Sequence, residues 1–327
     1  MFRLKALTAA AVVLAVALAQ TSSSSAASPL VSDRSGAPCA RTNLHPGLSE
    51  QQIASGGLLR NSLLYLPRNF KPATRIPLVL DLHGSGSTPQ QQLDRTGIMQ
   101  TADRNGFAVL APQGGLLANR GKYRGGYVWN IPGVSLLDGR PVPEDAPDDV
   151  AFLEDAITAM NHVLCLDRRR VYVTGFSGGG RMTSQLGCVL SDRIAAIAPV
   201  AGLRFPDGCQ PLRAEPVISF HGTADEVNPY NGGRGARWKL SVPEVIGQWA
   251  RVDRCGQLPR VDQVVPLVTR TTFGDCSNGG DVELYTIAGG RHAWPGTPGW
   301  TGPRGPQPAF EANELMWAFF RQHPLQG

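Results

Sequence analysis

The chain has 327 residues, of which 42% are hydrophobic and 17% are charged, and this balance excludes a largely disordered protein. The net charge of +5 is small for this length, and the basic residues are scattered, with 168–170 as their longest run. Nucleic-acid-binding proteins carry clustered Lys and Arg, so neither DNA nor RNA is expected as a partner.

The N-terminal residues have the pattern of an export signal. Arg3 and Lys5 precede an apolar stretch over 6–19, which is followed by small residues. That stretch is shorter than the roughly 20 residues of a membrane span, and no later segment reaches this length. We therefore predict a signal peptide over 1–27, a spacer over 28–45 and a single domain over 46–327. The protein is expected to be secreted, without a membrane partner.

Apolar runs of strand length alternate with helical patterns along the rest of the chain. The predicted strands are 62–66, 77–82, 107–111, 171–174, 216–220 and 282–287, and the predicted helices are 149–164, 181–190 and 312–321. This alternation is typical of an α/β fold with a mostly parallel sheet covered by helices on both faces. Two long loops, 114–147 and 228–242, are expected to surround a site at the sheet.

Six cysteines in an exported chain indicate three disulfides. Fifteen pairings are possible, and the equal spacing within two pairs favours Cys188–Cys209 and Cys255–Cys276. Cys39–Cys165 then follows by elimination.

Residues 175–179 match the Gly-x-Ser-x-Gly pattern of a nucleophile elbow. The pattern lies between the predicted strand 171–174 and the predicted helix 181–190, which is the context that this turn requires. Glycines beside the serine allow a strained backbone conformation without collisions. The sequence therefore predicts Ser177 as a catalytic nucleophile.

A nucleophilic serine in this context needs a carboxylate and a histidine that follow it in the chain. Asp225 follows the predicted strand 216–220, and His292 follows 282–287. Sites in open α/β sheets gather at such strand ends, so we predict that His292 is the general base and that Asp225 orients it. The alternatives to Asp225 are Glu226, Asp275 and Asp281. The less favoured histidines are His45, His83, His162, His221 and His323, of which His83 and His221 are expected to shape turns.

An oxyanion hole needs two backbone N–H donors, one from the residue after the nucleophile and one from the loop after an early strand. Gly178 is the first candidate, and Ser85 is the second, with Gly86 as a less favoured alternative. The loop 84–89 lacks the third glycine of a dinucleotide-binding fingerprint, and the chain has no phosphate-cradling or zinc-protease motif. We therefore expect neither a cofactor nor a metal.

With these residues placed, the chain resembles the extracellular polyhydroxybutyrate depolymerase and feruloyl esterase family of the α/β-hydrolase superfamily. The resemblance covers about residues 50–325, and it is carried by LHGSG (82–86), DDVAF (148–152), RVYVTGFSGG (170–179), APVAG (198–202), FHGTAD (220–225) and HAWPG (292–296). It implies an α/β-hydrolase catalytic domain over 46–327 with Ser177, Asp225 and His292 as its triad.

The same resemblance implies a serine esterase that acts on polyesters or on feruloylated or acetylated polysaccharides. Four aromatic residues could flank an acyl or aromatic group of the substrate: Trp129, Tyr230, Trp238 and Trp294. We expect a monomer. The alternatives are a catalytically silent hydrolase fold that binds carbohydrate or a protein, and a serine peptidase on the same scaffold.

Overall fold

The computed structural model describes residues 44–118, 123–233, 238–256, 258–297 and 310–326. The predicted signal peptide, nearly all of the predicted spacer and Cys39 lie outside the described residues.

The strands of the described residues are β1 (Gly47–Ser55), β2 (Leu58–Leu66), β3 (Ile76–Leu82), β4 (Ala108–Pro112), β5 (Leu116–Leu117), β6 (Tyr127–Val128), β7 (Leu166–Phe176), β8 (Ala196–Val200), β9 (Val217–Gly222), β10 (Arg260–Val265), β11 (Val268–Phe273) and β12 (Val282–Ile287). Ten of them form one sheet in the order β1-β2-β4-β3-β7-β8-β9-β12-β11-β10, and β5 pairs with β6 separately.

The centre of the large sheet is parallel and its two edges are antiparallel. Strands β4, β3, β7, β8, β9 and β12 pair in parallel, whereas β1-β2-β4 and β12-β11-β10 pair antiparallel. Every residue of β3, β4, β8 and β9 is buried. Because parallel strands point the same way, the carboxyl ends of β3, β7, β9 and β12 meet at one edge of the sheet.

Six helices in the described residues cover the two faces: α1 (Pro89–Thr96), α2 (Ile98–Asn105), α3 (Asp149–Val163), α4 (Gly178–Val189), α5 (Val242–Val252) and α6 (Ala312–Gln322). The pleat of β3 shows the division, because Leu80 belongs to the hydrophobic cluster that includes residues of α3, α4 and α5, and Val79 belongs to the cluster that includes residues of α1, α2 and α6. The fold thus has helices on both faces of a mostly parallel sheet, as predicted.

Local capping explains where several helices begin. Asp148 accepts hydrogen bonds from the N–H groups of Val150 and Ala151 at the start of α3. Ser241 and Glu244 form a reciprocal capping box at the start of α5. These caps fix the first residues of α3 and α5.

The six predicted strands and three predicted helices are all present, with ends that differ by a few residues. The elements that were not predicted are strands β1, β5, β6, β8, β10 and β11 and helices α1, α2 and α5. Strands β1 and β10 are largely exposed edge strands without a continuous apolar run, and β8 is short and contains Pro199.

Two predicted disulfides, Cys188–Cys209 and Cys255–Cys276, are confirmed. Cys165 is also disulfide-bonded, and its predicted partner Cys39 lies outside the described residues. None of the helices in the described ranges combines the length and the apolar character that a bilayer span requires.

Candidate active site

Ser177 lies at the sharp turn between β7 and α4, in the strand-turn-helix context that the sequence predicts. Its backbone has a φ of 56°, in the left-handed region, and its N–H donates to the carbonyl oxygen of Val200 in β8 at 2.9 Å. A side chain at Gly179 would collide with the carbonyl group of Leu82, and one at Gly175 would lie 2.6 Å from the carbonyl carbon of Gly179. The glycines therefore allow the turn to pack directly against β3.

Asp225 and His292 meet beyond the carboxyl ends of β9 and β12. The distance from His292 Nδ1 to Asp225 Oδ2 is 2.7 Å. The other carboxylate oxygen of Asp225 accepts hydrogen bonds from the backbone N–H groups of Val227 at 2.8 Å and Asn228 at 2.7 Å. These three contacts fix the orientation of the carboxylate, which in turn orients the imidazole of His292.

The electrostatics keep Asp225 ionised. Burial alone would raise the pKa of its carboxyl group, but hydrogen bonds from His221 and His292 together with the charge of His292 outweigh burial and lower this pKa below its usual range. An ionised carboxylate is the state that stabilises a protonated imidazole on His292.

His221 supports this carboxylate from inside the fold. Its side chain is fully buried, and its Nε2 lies 2.8 Å from the carbonyl oxygen of Asn228 and 3.4 Å from Asp225 Oδ2. The carbonyl oxygen can only accept, so Nε2 carries the proton and donates to Asn228. His221 thus braces the turn that follows β9, as the sequence predicts for this histidine.

Ser177 and His292 both line one cavity of about 860 Å³, which we call the Ser177 cavity. The ring of Phe176 packs against His292 with 4.7 Å between ring centroids. The hydroxyl of Ser177 makes no hydrogen bond with the described residues, so the contact from Ser177 Oγ to His292 Nε2 is not closed in this structure. Such contacts often tighten only when substrate is bound.

The two predicted oxyanion donors are neighbours beside Ser177. A Cβ built on Gly178 would lie 3.0 Å from the amide nitrogen of Ser85, and one built on Gly84 would lie 3.6 Å from Ser177 Cβ. Neither the Gly178 nor the Ser85 N–H donates to another described residue. The N–H of Gly86, the alternative donor, is occupied because it donates to the carbonyl oxygen of Tyr127 at 2.8 Å.

His83 and Trp129 stabilise the loop that carries Ser85. Trp129 Nε1 donates to the His83 carbonyl oxygen at 2.7 Å, and the two rings stack with 4.8 Å between centroids. His83 Nε2 accepts from the Gly114 N–H at 3.0 Å, and burial lowers the pKa of His83 to about 4. His83 is therefore neutral and shapes the turn, as the sequence predicts.

The four aromatic residues predicted to contact substrate occupy different places. Trp294 lines the Ser177 cavity, although it is only 1% exposed and its Nε1 donates to Asn313. Trp238 lines a second cavity next to the first, and Tyr230 bonds to Thr286 at 2.9 Å. Trp129 is buried beneath the loop of Ser85. Of these four residues, only Trp294 is part of the wall around Ser177.

Two cationic residues in the wall of the Ser177 cavity are not among the residues predicted from the sequence. Arg95, near the end of α1, stacks over Phe176 with 4.9 Å from its guanidinium carbon to the ring centroid. Arg181 lies one helical turn after Ser177 in α4 and also lines the cavity. Arg181 could have been identified because it follows the nucleophile by four residues, one turn of a helix. Arg95 could not, because its helix α1 was not predicted.

The chain is similar to proteins described as esterases. A model of the family described as esterase PHB depolymerase matches residues 61–253, more than half of the chain. The chain is 31% identical over 245 residues to feruloyl esterase B of Piromyces equi and 28% identical over 271 residues to the bifunctional acetylxylan esterase/xylanase XynS20E of Neocallimastix patriciarum. These alignments cover 72% and 83% of the chain but only 42% and 34% of the two relatives.

Among solved structures, an acetyl xylan esterase from Aspergillus awamori matches with a TM-score of 0.59 and 15% identity, over 84% of this chain and 99% of that one. At this identity the likeness concerns the fold alone, and it bears out the α/β-hydrolase fold expected from the sequence. With the match of residues 61–253, the chain belongs to the esterase PHB depolymerase family.

Proposed function

We propose that the protein hydrolyses carboxylic esters through an acyl-enzyme on Ser177. The observation that carries this proposal is the 2.7 Å contact between His292 Nδ1 and Asp225 Oδ2, because His292 lines the same cavity as Ser177, which lies on a strained turn. A carboxylate, an imidazole and a serine hydroxyl in this order are the groups that nucleophilic acyl transfer requires.

Acylation begins with attack of Ser177 Oγ on the ester carbonyl carbon. His292 Nε2 takes the hydroxyl proton as the C–O bond forms, and the carbonyl electron pair moves onto its oxygen. The N–H groups of Gly178 and Ser85 then donate to this oxyanion. When the intermediate collapses, the bond to the alkoxy oxygen breaks, and His292 returns its proton to the leaving alcohol.

Deacylation repeats these steps with water. His292 Nε2 removes a proton from water, the hydroxide attacks the acyl carbonyl, and the same two N–H groups bind the oxyanion. Collapse releases the carboxylic acid and returns the proton to Ser177. Asp225 remains ionised throughout, because its contacts hold its pKa below the usual range.

The proposed substrates are esters of feruloyl or acetyl groups with polysaccharides, or polyesters of the polyhydroxybutyrate type. The names of the relatives support the first group, and the name of the family supports the second. We also propose that the protein is secreted, and its two described disulfides support an oxidising compartment. The monomeric state stays a prediction.

A direct test combines turnover with active-site labelling. Wild-type protein should release acid from p-nitrophenyl acetate, methyl ferulate or amorphous polyhydroxybutyrate, and a fluorophosphonate should label it at Ser177. Ser177→Ala should lower turnover by at least about 10⁴-fold and abolish labelling. Ser49→Ala, an exposed serine of β1, is the matched control and should behave as wild type.

The outcomes separate the proposal from its alternatives. A silent binding protein would leave the fluorophosphonate unreacted. A peptidase would cleave peptides in preference to esters, with the same dependence on Ser177. Undiminished ester hydrolysis by pure Ser177→Ala would refute the assignment of the nucleophile.

A further inference from the structure

A second cavity adjoins the Ser177 cavity, and we call it the Trp238 cavity. It has a volume of about 470 Å³, which is within the usual range for ligand sites. Arg181 lines both cavities, so its side chain is part of the boundary between them. A substrate that extends from Ser177 past Arg181 would enter the Trp238 cavity.

Helix α4 fixes the position of this junction relative to the nucleophile. The backbone N–H of Arg181 donates to the carbonyl oxygen of Ser177 at 3.0 Å, so the two residues are one helical turn apart. The Arg181 side chain is only 5% exposed, and its guanidinium carbon lies 5.2 Å from the ring centroid of Trp238. Arg181 and Trp238 therefore form a cation–π pair at the boundary between the cavities.

Cationic groups outnumber carboxylates in the wall of the Trp238 cavity. Arg181, Arg204 and Lys239 line it, against one carboxylate, Asp207, among the described lining residues. Arg204 is held in place by the hydrogen bond from its Nη1 to the carbonyl oxygen of Pro132 at 3.0 Å. Guanidinium groups stay charged and present N–H pairs that match a carboxylate. The wall therefore favours an anionic group.

Aromatic side chains give the same cavity apolar faces. Trp238 is half-buried, and Phe205 is braced edge-on by Trp249 with 5.2 Å between ring centroids. A pyranose ring presents a C–H face that packs on such rings, while its hydroxyl groups remain available to polar partners. A neutral polyester or acyl chain would contact only the aromatic faces and gain nothing from the positive charge of the wall. A sugar that carries a carboxylate matches both.

We propose that the Trp238 cavity binds a uronic acid residue of the polysaccharide whose ester Ser177 hydrolyses. The assignment rests on the proposed ester hydrolysis and deepens it, because it names esters of acidic polysaccharides as the substrate class. Arg204 and Lys239 bind the carboxylate, Trp238 packs against the sugar ring, and Arg181 lies between this sugar and the scissile ester.

The test compares two substrates with the same ester. Acetylated xylotriose is hydrolysed beside acetylated xylotriose that carries one glucuronic acid substituent. The acidic substrate should have a kcat/KM about tenfold higher at low ionic strength, and the difference should shrink in about 0.5 M NaCl because salt screens the attraction. Equal kcat/KM values for the two substrates at low ionic strength would overturn the proposal.

Variants connect this preference to the cavity. Lys239→Gln removes an exposed charge without disturbing the core, and it should lower the acidic-to-neutral ratio about threefold. Lys71→Gln removes an exposed lysine outside both cavities and should leave the ratio at its wild-type value. A preference that survives Lys239→Gln and Trp238→Ala unchanged would also overturn the proposal.

Two further measurements separate this inference from the proposed function. Hydrolysis of p-nitrophenyl acetate reports on Ser177 alone. If Ser177→Ala lost this activity while the wild-type protein showed equal kcat/KM values for the acidic and neutral substrates, only the uronic acid site would be refuted. Calorimetry on Ser177→Ala, with ester-free xylotriose and its glucuronic-acid-substituted form, reports on binding without catalysis. Tighter binding of the acidic form supports the site even if ester hydrolysis fails, and equal binding refutes it.

Discussion

Replacing Asp225 with asparagine tests how the carboxylate controls the tautomer of His292. Asp225 Oδ1 accepts two backbone N–H groups, from Val227 at 2.8 Å and from Asn228 at 2.7 Å. In Asp225→Asn the amide oxygen must keep this place, because an NH₂ group cannot accept. The amide NH₂ then occupies the position of Oδ2 and donates to His292 Nδ1, so the imidazole proton moves to Nε2, which can no longer act as a base.

The size of the effect follows from the loss of this base. An orienting carboxylate of this type contributes about 10⁴-fold to kcat, or about 5.5 kcal/mol of transition-state stabilisation. We expect kcat/KM for p-nitrophenyl acetate to fall by this factor in Asp225→Asn at neutral pH, while KM changes little. Fluorophosphonate labelling should slow in parallel, because it requires the same activated hydroxyl.

A fold control accompanies the assay. The Asn side chain has the shape of Asp and keeps the two backbone contacts, so the thermal unfolding midpoint should stay within a few degrees of wild type. A folded Asp225→Asn protein with kcat/KM within tenfold of wild type would refute the role assigned to Asp225. Glu226 would then become the next carboxylate to replace.

Two further predictions concern stability and the loop of Ser85. Burial raises the pKa of Asp253 to about 7, so the unfolded chain loses this proton first as pH rises. Between pH 4 and 8, the free energy of unfolding of the wild-type protein should therefore fall by up to about 4 kcal/mol relative to that of Asp253→Asn. If urea unfolding gave the same pH dependence for both proteins, this prediction would be wrong. Trp129→Phe keeps a ring against His83 but loses the 2.7 Å hydrogen bond to its carbonyl oxygen. We expect this variant to lose about 1 kcal/mol of unfolding free energy, and to have a lower kcat because the Ser85 N–H is displaced. If urea unfolding and kcat were both unchanged, Trp129 would not brace this loop.

Short-range patterns explain what could be predicted from the sequence. Strands β3, β4, β7 and β9 contain short apolar runs, and β12 repeats buried apolar residues between partly buried polar ones, so these strands were recognisable without a structure. The turn at Ser177 needs glycines at fixed positions, and its motif is therefore local as well. Asp225 and His292 were identified by their places after strand ends, which depends only on the direction of parallel strands.

Other elements depend on long-range packing and left little local signal. Strand β8 contains Pro199, which argues against a central strand, yet its neighbours β7 and β9 on both sides make it one. The exposed edge strand β1 alternates weakly, so its pairing with β2 is a tertiary effect.

The positions of the aromatic and cationic side chains also could not be predicted from local sequence patterns. The sequence by itself determined the fold class, the sharp turn at Ser177 and the places of Asp225 and His292 after strand ends, because each depends on local periodicity or on strand direction. Only the tertiary structure decided that Trp129 braces the loop of Ser85, that Trp238 lines a second cavity and that Arg181 lines both cavities. Burial and neighbourhood of a side chain depend on residues far apart in the chain, and no local pattern encodes them.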